Sequence, residues 1–188
     1  LSEYQKALEC YSQALPLRRS TGDAAGEVET TANIAATYVA TGDNKKGVEY
    51  FLQALARLRA SGQRESEAEI LNGLGVAYWN SGDNQQALEH YNLALTLFRA
   101  AGDKPREAET LSNLGTLCDS TGDRRKALEY FNQALALQRE TGARSGEAGT
   151  LYNMGLAYDH LSEREKALDY YQQALTLFRL LGDQGGEA

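Results

Sequence analysis

The chain has 188 residues, 42% of them apolar, a formal charge of −7 and only two prolines, Pro16 and Pro105. That balance disfavours nucleic acid, which needs clustered Lys and Arg to displace counterions, and scarce proline favours long helices over a turn-rich β fold. Cys10 and Cys118 stand far apart with no CxxC spacing, so neither a disulfide framework nor a zinc site is indicated. No glycosylation sequon, signal peptide or apolar run of membrane-spanning length is present, and an intracellular, cytoplasmic protein is expected.

From the N-terminus onward the chain is punctuated by glycine. Gly42-Asp43, Gly82-Asp83 and Gly122-Asp123 recur forty residues apart, and Gly22, Gly62, Gly102, Gly142 and Gly182 form a second series offset by twenty. Each period therefore holds two segments of similar length, each closed by a glycine turn. The spacing predicts a half repeat at 1–27, then repeats at 28–67, 68–107, 108–147 and 148–187, within a longer array. The half repeat at the start, and an end at Glu187-Ala188 where another segment would begin, suggest flanking repeats or pairing with a second copy.

The first segment of each repeat, helix A, places Leu71, Leu74, Gly75 and Tyr78 on one helical face. The same phase returns at Leu111, Leu114, Gly115 and Cys118, and at Leu151, Met154, Gly155 and Tyr158. The second segment, helix B, carries the stripe Ala87, Leu88, Tyr91, Ala94, Leu95 and Phe98, with counterparts near 127–135 and 167–175. Neither shows the alternation of a strand. The turn glycines suit left-handed C-cap positions, and Asp43, Asp83 and Asp123 suit N-caps of helix B. Ser162 and Glu165 offer a capping box where the Gly-Asp pair is missing. Gly75, Gly115 and Gly155 cost a helix about 1 kcal/mol each against alanine, so their recurrence predicts close approach of helix B at Ala87, Ala127 and Ala167. Ala35 facing Gly47 keeps that slot small in the first full repeat.

Leu71-x-x-Leu74-Gly75-x-x-Tyr78, followed by Ala87, Tyr91 and Ala94, resembles the tetratricopeptide repeat across essentially the whole chain. Arg19, Arg59, Arg99, Arg139 and Arg179 replace the family's usual proline late in helix B, and the period is forty rather than about thirty-four. Both features resemble the long-repeat branch found in kinesin light chains, Pins-type adaptors and bacterial multi-repeat regulators. The resemblance implies an all-α, right-handed α-solenoid of antiparallel helix pairs, with helix A lining a concave groove. The recurrent arginines complement the negative end of helix B on one reading, and contact a ligand on another.

All nineteen Lys and Arg fall in helix B or loops, outside 28–41, 68–81, 108–121 and 148–161. Those segments carry Glu29, Glu69, Glu109, Asp119 and Asp159, so a groove ligand should be neutral to basic. The glutamates also suit a helix N-terminus, whereas Asp119 and Asp159 lie near the helix A C-terminus, where an acid is unfavourable and a function is the better reading. Asn33, Asn113 and Asn153 recur at one phase, with Asn72 beside Gly73 in that slot. In the resembling long-repeat adaptors, asparagines at this position form a ladder along a bound peptide; hydrogen bonds between adjacent A helices are the alternative. Trp79 and Tyr152 are the large aromatics expected to face the groove, although Trp79 could instead wedge between A helices.

His90 and His160 lie on different repeats without a partner arrangement for a metal or a base, and no phosphate loop, HExxH or GxSxG occurs. The sequence reads as a non-enzymatic scaffold for a protein or peptide ligand, with no cofactor, metal, nucleic acid or membrane partner. A self-associating spacer, or a regulatory array fused to an effector domain, is the alternative.

Overall fold

The computed structural model describes residues 2–62 and 66–182. The regular structure among them is entirely helical: α1 (Ser2–Thr21), α2 (Ala24–Ala40), α3 (Asn44–Ala60), α4 (Glu67–Asn80), α5 (Asn84–Ala101), α6 (Lys104–Ser120), α7 (Arg124–Thr141), α8 (Arg144–His160) and α9 (Arg164–Leu181). Even-numbered helices are helix A and odd-numbered ones helix B, as the repeat spacing predicts. Glu187-Ala188, where a further helix was expected to begin, lies outside the described residues.

The chain forms two compact units, Leu1–Leu97 and Phe98–Ala188. In the first, α1 packs on α2, α2 on α3 and α3 on α4, and α2 also touches α4. In the second, α6 packs on α7, α7 on α8 and α8 on α9, and α6 also touches α8. Where the connection is described throughout, tight turns join consecutive helices, so those neighbours run antiparallel.

Turn chemistry follows from the glycine spacing. Gly42, Gly82 and Gly122 take φ of 86, 81 and 91°, a region that L side chains avoid. The next residue then caps helix B: Asp43, Asp83 and Asp123 accept from the backbone N–H of Lys46, Gln86 and Lys126 at 3.3, 3.1 and 3.4 Å. Before α9 the expected Ser162–Glu165 capping box does not form. Ser162 occupies the left-handed glycine slot at φ 63°, so the N-cap falls one residue later, on Glu163, which makes no side-chain cap bond. Glu163 instead holds Lys166 Nζ at 2.6 Å.

Two further expectations are corrected. Helices α6 and α8 begin at Lys104 and Arg144, earlier than the hydrophobic phase suggests, so Lys104, Arg106 and Arg144 do sit in helix A, in its first turns. The helix A glycines, moreover, do admit helix B, but its rings lie nearest to them where its alanines were expected. A Cβ on Gly75 would stand 2.5 Å from the Tyr91 ring, one on Gly155 2.5 Å from the Tyr171 ring, and one on Gly115 would overlap the Phe131 ring. Fully burying such a ring contributes about 1.5–3 kcal/mol, more than the roughly 1 kcal/mol the glycine costs its helix. Gly47 does back onto Ala35, whose carbonyl oxygen would lie 3.3 Å from a Cβ there.

The recurrent arginines have a use that the sequence reading did not identify. Arg19, Arg59, Arg99 and Arg139 pair with Glu27, Glu67, Glu107 and Glu147, each eight residues on in the first turn of the next helix A, at 2.6–2.8 Å. The pairs bridge the turn from helix B to helix A.

Candidate functional site

In the second unit, helical spacing puts Pro105, Glu109, Ser112 and Asn113 on one face of α6, and Gly146, Gly149, Thr150 and Asn153 on one face of α8. These faces, with Ala143 and with Gln138 of α7, line an open cleft of about 310 Å³. Its interior polar groups are linked across helices. Ser112 Oγ lies 2.9 Å from Thr150 Oγ1, Gln138 Nε2 donates to Ser112 Oγ at 3.4 Å, and Asn153 Nδ2 reaches Thr116 Oγ1 at 3.5 Å. Thr30 and Thr110, in the same repeat position as Thr150, donate to the backbone carbonyls of Gly26 and Arg106. Glu109 is exposed and has no ion-pair partner among the described residues, so the cleft carries an uncompensated negative charge.

Gln138 is the residue that sequence reasoning missed. It is only 4% exposed, and its Oε1 is buried without a hydrogen-bond partner. Leaving such an acceptor unmatched costs about 1–3 kcal/mol. The signal was present in the repeat: Leu58, Phe98 and Phe178 fill the same position with apolar side chains.

Toward the far end of the α6–α8 face, His160 Nδ1 stands 2.9 Å from Asp119 Oδ2 and 3.2 Å from Oδ1. His160 therefore has a partner that its place in the sequence does not announce, because α6 and α8 lie side by side. Asp159 is exposed nearby in sequence without an ion pair among the described residues. Tyr152 is 47% exposed, its ring 5.6 Å from that of Tyr171. Burial, reinforced by the charges of Asp159 and Asp119, pushes the Tyr171 phenol up.

In the first unit, Asn33 is exposed on α2, and Asn72 and Trp79 are half-buried on α4. Gly73 replaces asparagine because a Cβ there would overlap the Phe51 ring. The structure thus brings Asn113 and Asn153 into one cleft and pairs Asp119 with His160. Among the described residues no group of three or more His, Cys, Asp or Glu side chains could hold a metal, and no helix is long and apolar enough to cross a membrane.

A family model described as tetratricopeptide repeat matches residues 1–60 and 66–140, and a second of the same description matches 148–179. Comparison with curated protein sequences finds no match. Among solved structures, BtubC (BKLC) from P. vanneervenii is 22% identical with a TM-score of 0.84, over 96% of this chain and 75% of that one. A putative kinesin light chain from Podosopora anserina with nearly identical TPR-like repeats is 19% identical at a TM-score of 0.76, over 96% and 89%. A Rap protein complexed with Competence and Sporulation Factor is 18% identical at a TM-score of 0.88, over 98% of this chain and 52% of that one.

Proposed function

This chain belongs to the tetratricopeptide repeat family, and from that premise we propose that it is a non-enzymatic protein-interaction module. Its α6–α8 face holds a peptide or helix of neutral-to-basic character. The observation that carries this reading is the cleft itself, where Asn113 and Asn153 stand beside Ser112, Thr150 and the exposed carboxylate of Glu109. Carboxamides and hydroxyls both donate and accept, which suits an extended backbone, and the carboxylate disfavours an acidic ligand. Asp159 and the exposed Tyr152 extend the same character along α8. A similar Rap protein takes a factor in complex, which supports a binding role for the fold. Free thiols at Cys10 and Cys118 fit a reducing, cytoplasmic setting.

Fluorescence anisotropy with labelled peptide pools of basic, neutral and acidic composition tests the reading. Saturable binding of basic or neutral pools, lost in Asn113→Ala with Asn153→Ala, is expected. Preference for acidic pools, or no binding by any, would overturn it.

One observation favours self-association as a second reading. Helix α9 leaves Leu168, Leu180 and Leu181 exposed at 67, 69 and 42%. A mass in solution that stays monomeric across a concentration series removes it.

A further inference from the structure

Three departures from the first helix pair converge on the α6–α8 cleft. The position of Gln138 holds Arg18 in the first helix pair, that of Ala143 holds Asp23, and that of Gly149 holds Glu29; Gly146 matches Gly26. In that first pair the side chains complete one another. Asp23 Oδ1 accepts from the Gly26 N–H at 2.9 Å, and Arg18 Nη1 lies 3.7 Å from Asp23 and 3.1 Å from Glu29.

Around Gln138 those carboxylates are missing. Ala143 is the N-cap of α8 and offers no side-chain acceptor to the Gly146 N–H. Gly149 projects nothing, and a Cβ there would meet open space. A Cβ on Gly146 would stand 3.0 Å from Gln138 Nε2, so glycine lets the carboxamide end lie close against the start of α8. The cleft therefore has one donor, Gly146 N–H, without a side-chain cap, and one buried acceptor, Gln138 Oε1, without a partner.

The missing group must accept one hydrogen bond and donate another. A primary carboxamide does both within one plane. A carboxylate has no proton to donate and faces the charge of Glu109; ammonium and guanidinium groups have no acceptor.

We propose that this cleft is a carboxamide subsite, which takes an asparagine or glutamine side chain of the bound polypeptide. The ligand oxygen accepts from the Gly146 N–H and the ligand NH2 donates to Gln138 Oε1. This assignment rests on the reading of the α6–α8 face as the partner-binding surface.

The test is a titration of the ¹⁵N-labelled chain with N-acetylglutamine methylamide, followed at the Gly146 and Gly149 amides. The alanine, lysine and glutamate methylamides report main-chain, cationic and acidic binding. The glutamine derivative should bind roughly tenfold tighter than the alanine one, the factor that about one net hydrogen bond supplies. Ala143→Asp should place a carboxylate on the Gly146 N–H and abolish the response while raising Tm. Gln138→Leu, which installs the residue type of Leu58, should abolish it too. Equal binding of all four derivatives, or unchanged binding in both variants, overturns the subsite. Peptide pools with glutamine or alanine fixed at one position separate this from the broader reading. Pools that bind without a glutamine preference remove the subsite alone. Glutamine-specific shifts with no pool bound keep the subsite and remove the peptide-binding reading.

Discussion

Arg139 Nε donates to Glu147 Oε1 at 2.6 Å, which ties the last turn of α7 to the first turn of α8. Each partner already suits its helix end, since a cation favours the C-terminus and an acid the N-terminus. The ion pair adds a contact between two helices joined by a tight turn, so little extra chain entropy is lost in making it. Arg139 is half exposed, with 53% of its side chain accessible, and the pair is accordingly modest. A double-mutant cycle of Arg139→Ala and Glu147→Ala in urea unfolding should give a coupling of about 0.5–1 kcal/mol that shrinks in high salt. A coupling indistinguishable from zero would leave only the two separate helix-end effects.

Glu27 is held harder than its counterparts, because Arg19 and Arg57 both donate to it, at 2.8 and 2.9 Å. The Arg19 hydrogen bond, with Arg57 adding to it against the opposing effect of burial, holds the Glu27 carboxyl below the usual glutamate range. A carboxyl depressed in the folded state contributes stability that is present above the ordinary glutamate pKa and lost as pH falls through the folded value. Glu27→Gln should therefore be less stable than the parent at neutral pH, and the gap between their urea midpoints should close on acidification below the ordinary glutamate range, about 4.3. A gap that stays constant down to acid pH would show that the carboxylate's charge is not what Arg19 and Arg57 recognise.

The helix order was legible because its signals are local. Gly42 and Asp43 announce a left-handed turn and a cap within two residues, and Leu71, Leu74 and Gly75 announce a buried face within one turn. What escaped the sequence reading depends on pairing across helices. Glu27 is one of 26 acidic residues, and an eight-residue spacing across a turn is not a helical period. His160 and Asp119 meet only because α6 and α8 lie side by side, 41 residues apart in sequence. Gln138 could have been found by comparing repeats position by position, since it interrupts an otherwise mostly apolar series. The Ser162 turn failed for a different reason: a serine took a glycine's backbone conformation, and the capping motif shifted by one residue.

Gly115 tests whether ring accommodation outweighs helix propensity. Replacing an exposed helical glycine by alanine normally stabilises by about 1 kcal/mol. At Gly115 the new methyl would overlap the Phe131 ring, which is 1% exposed and has little room to move. Overpacking of this kind costs about 1–3 kcal/mol, so Gly115→Ala should be destabilising, and Gly115→Leu more so. Phe131→Leu in the Gly115→Ala background should recover part of the loss. An alanine variant with an unchanged or raised Tm would mean that the glycine serves no packing purpose.

The two cysteines should differ sharply in reactivity. Cys10 is exposed, whereas Cys118 is buried at 6% exposure and burial pushes its thiol up, both of which suppress thiolate attack. A disulfide reagent at neutral pH should titrate one thiol rapidly in the folded protein and the second only at the rate of unfolding, or at once in urea. Rapid modification of both would show that the Cys118 face of α6 opens without global unfolding.

Ala143 offers the clearest stabilising substitution. Its backbone, at φ −76° and ψ 68°, matches the N-caps Asp23 at −73° and 79° and Asp103 at −81° and 78°, so an aspartate can adopt it without strain. In those two helices the carboxylate takes the third backbone N–H at 2.9 and 3.2 Å; in α8 that bond is missing. Restoring a cap contributes about 0.5–2 kcal/mol, and the helix dipole favours the charge further. Glu109 lines the same cleft and repels it, which should hold the net gain for Ala143→Asp near the lower end of that range. Ala143→Asn supplies the same acceptor without the charge. If repulsion matters, asparagine should equal or exceed aspartate in urea midpoint, and raising the salt should close the difference. A loss of stability in both variants would mean that the α8 N-terminus already has a partner for its Gly146 N–H, and the cleft would then have no donor to offer a ligand.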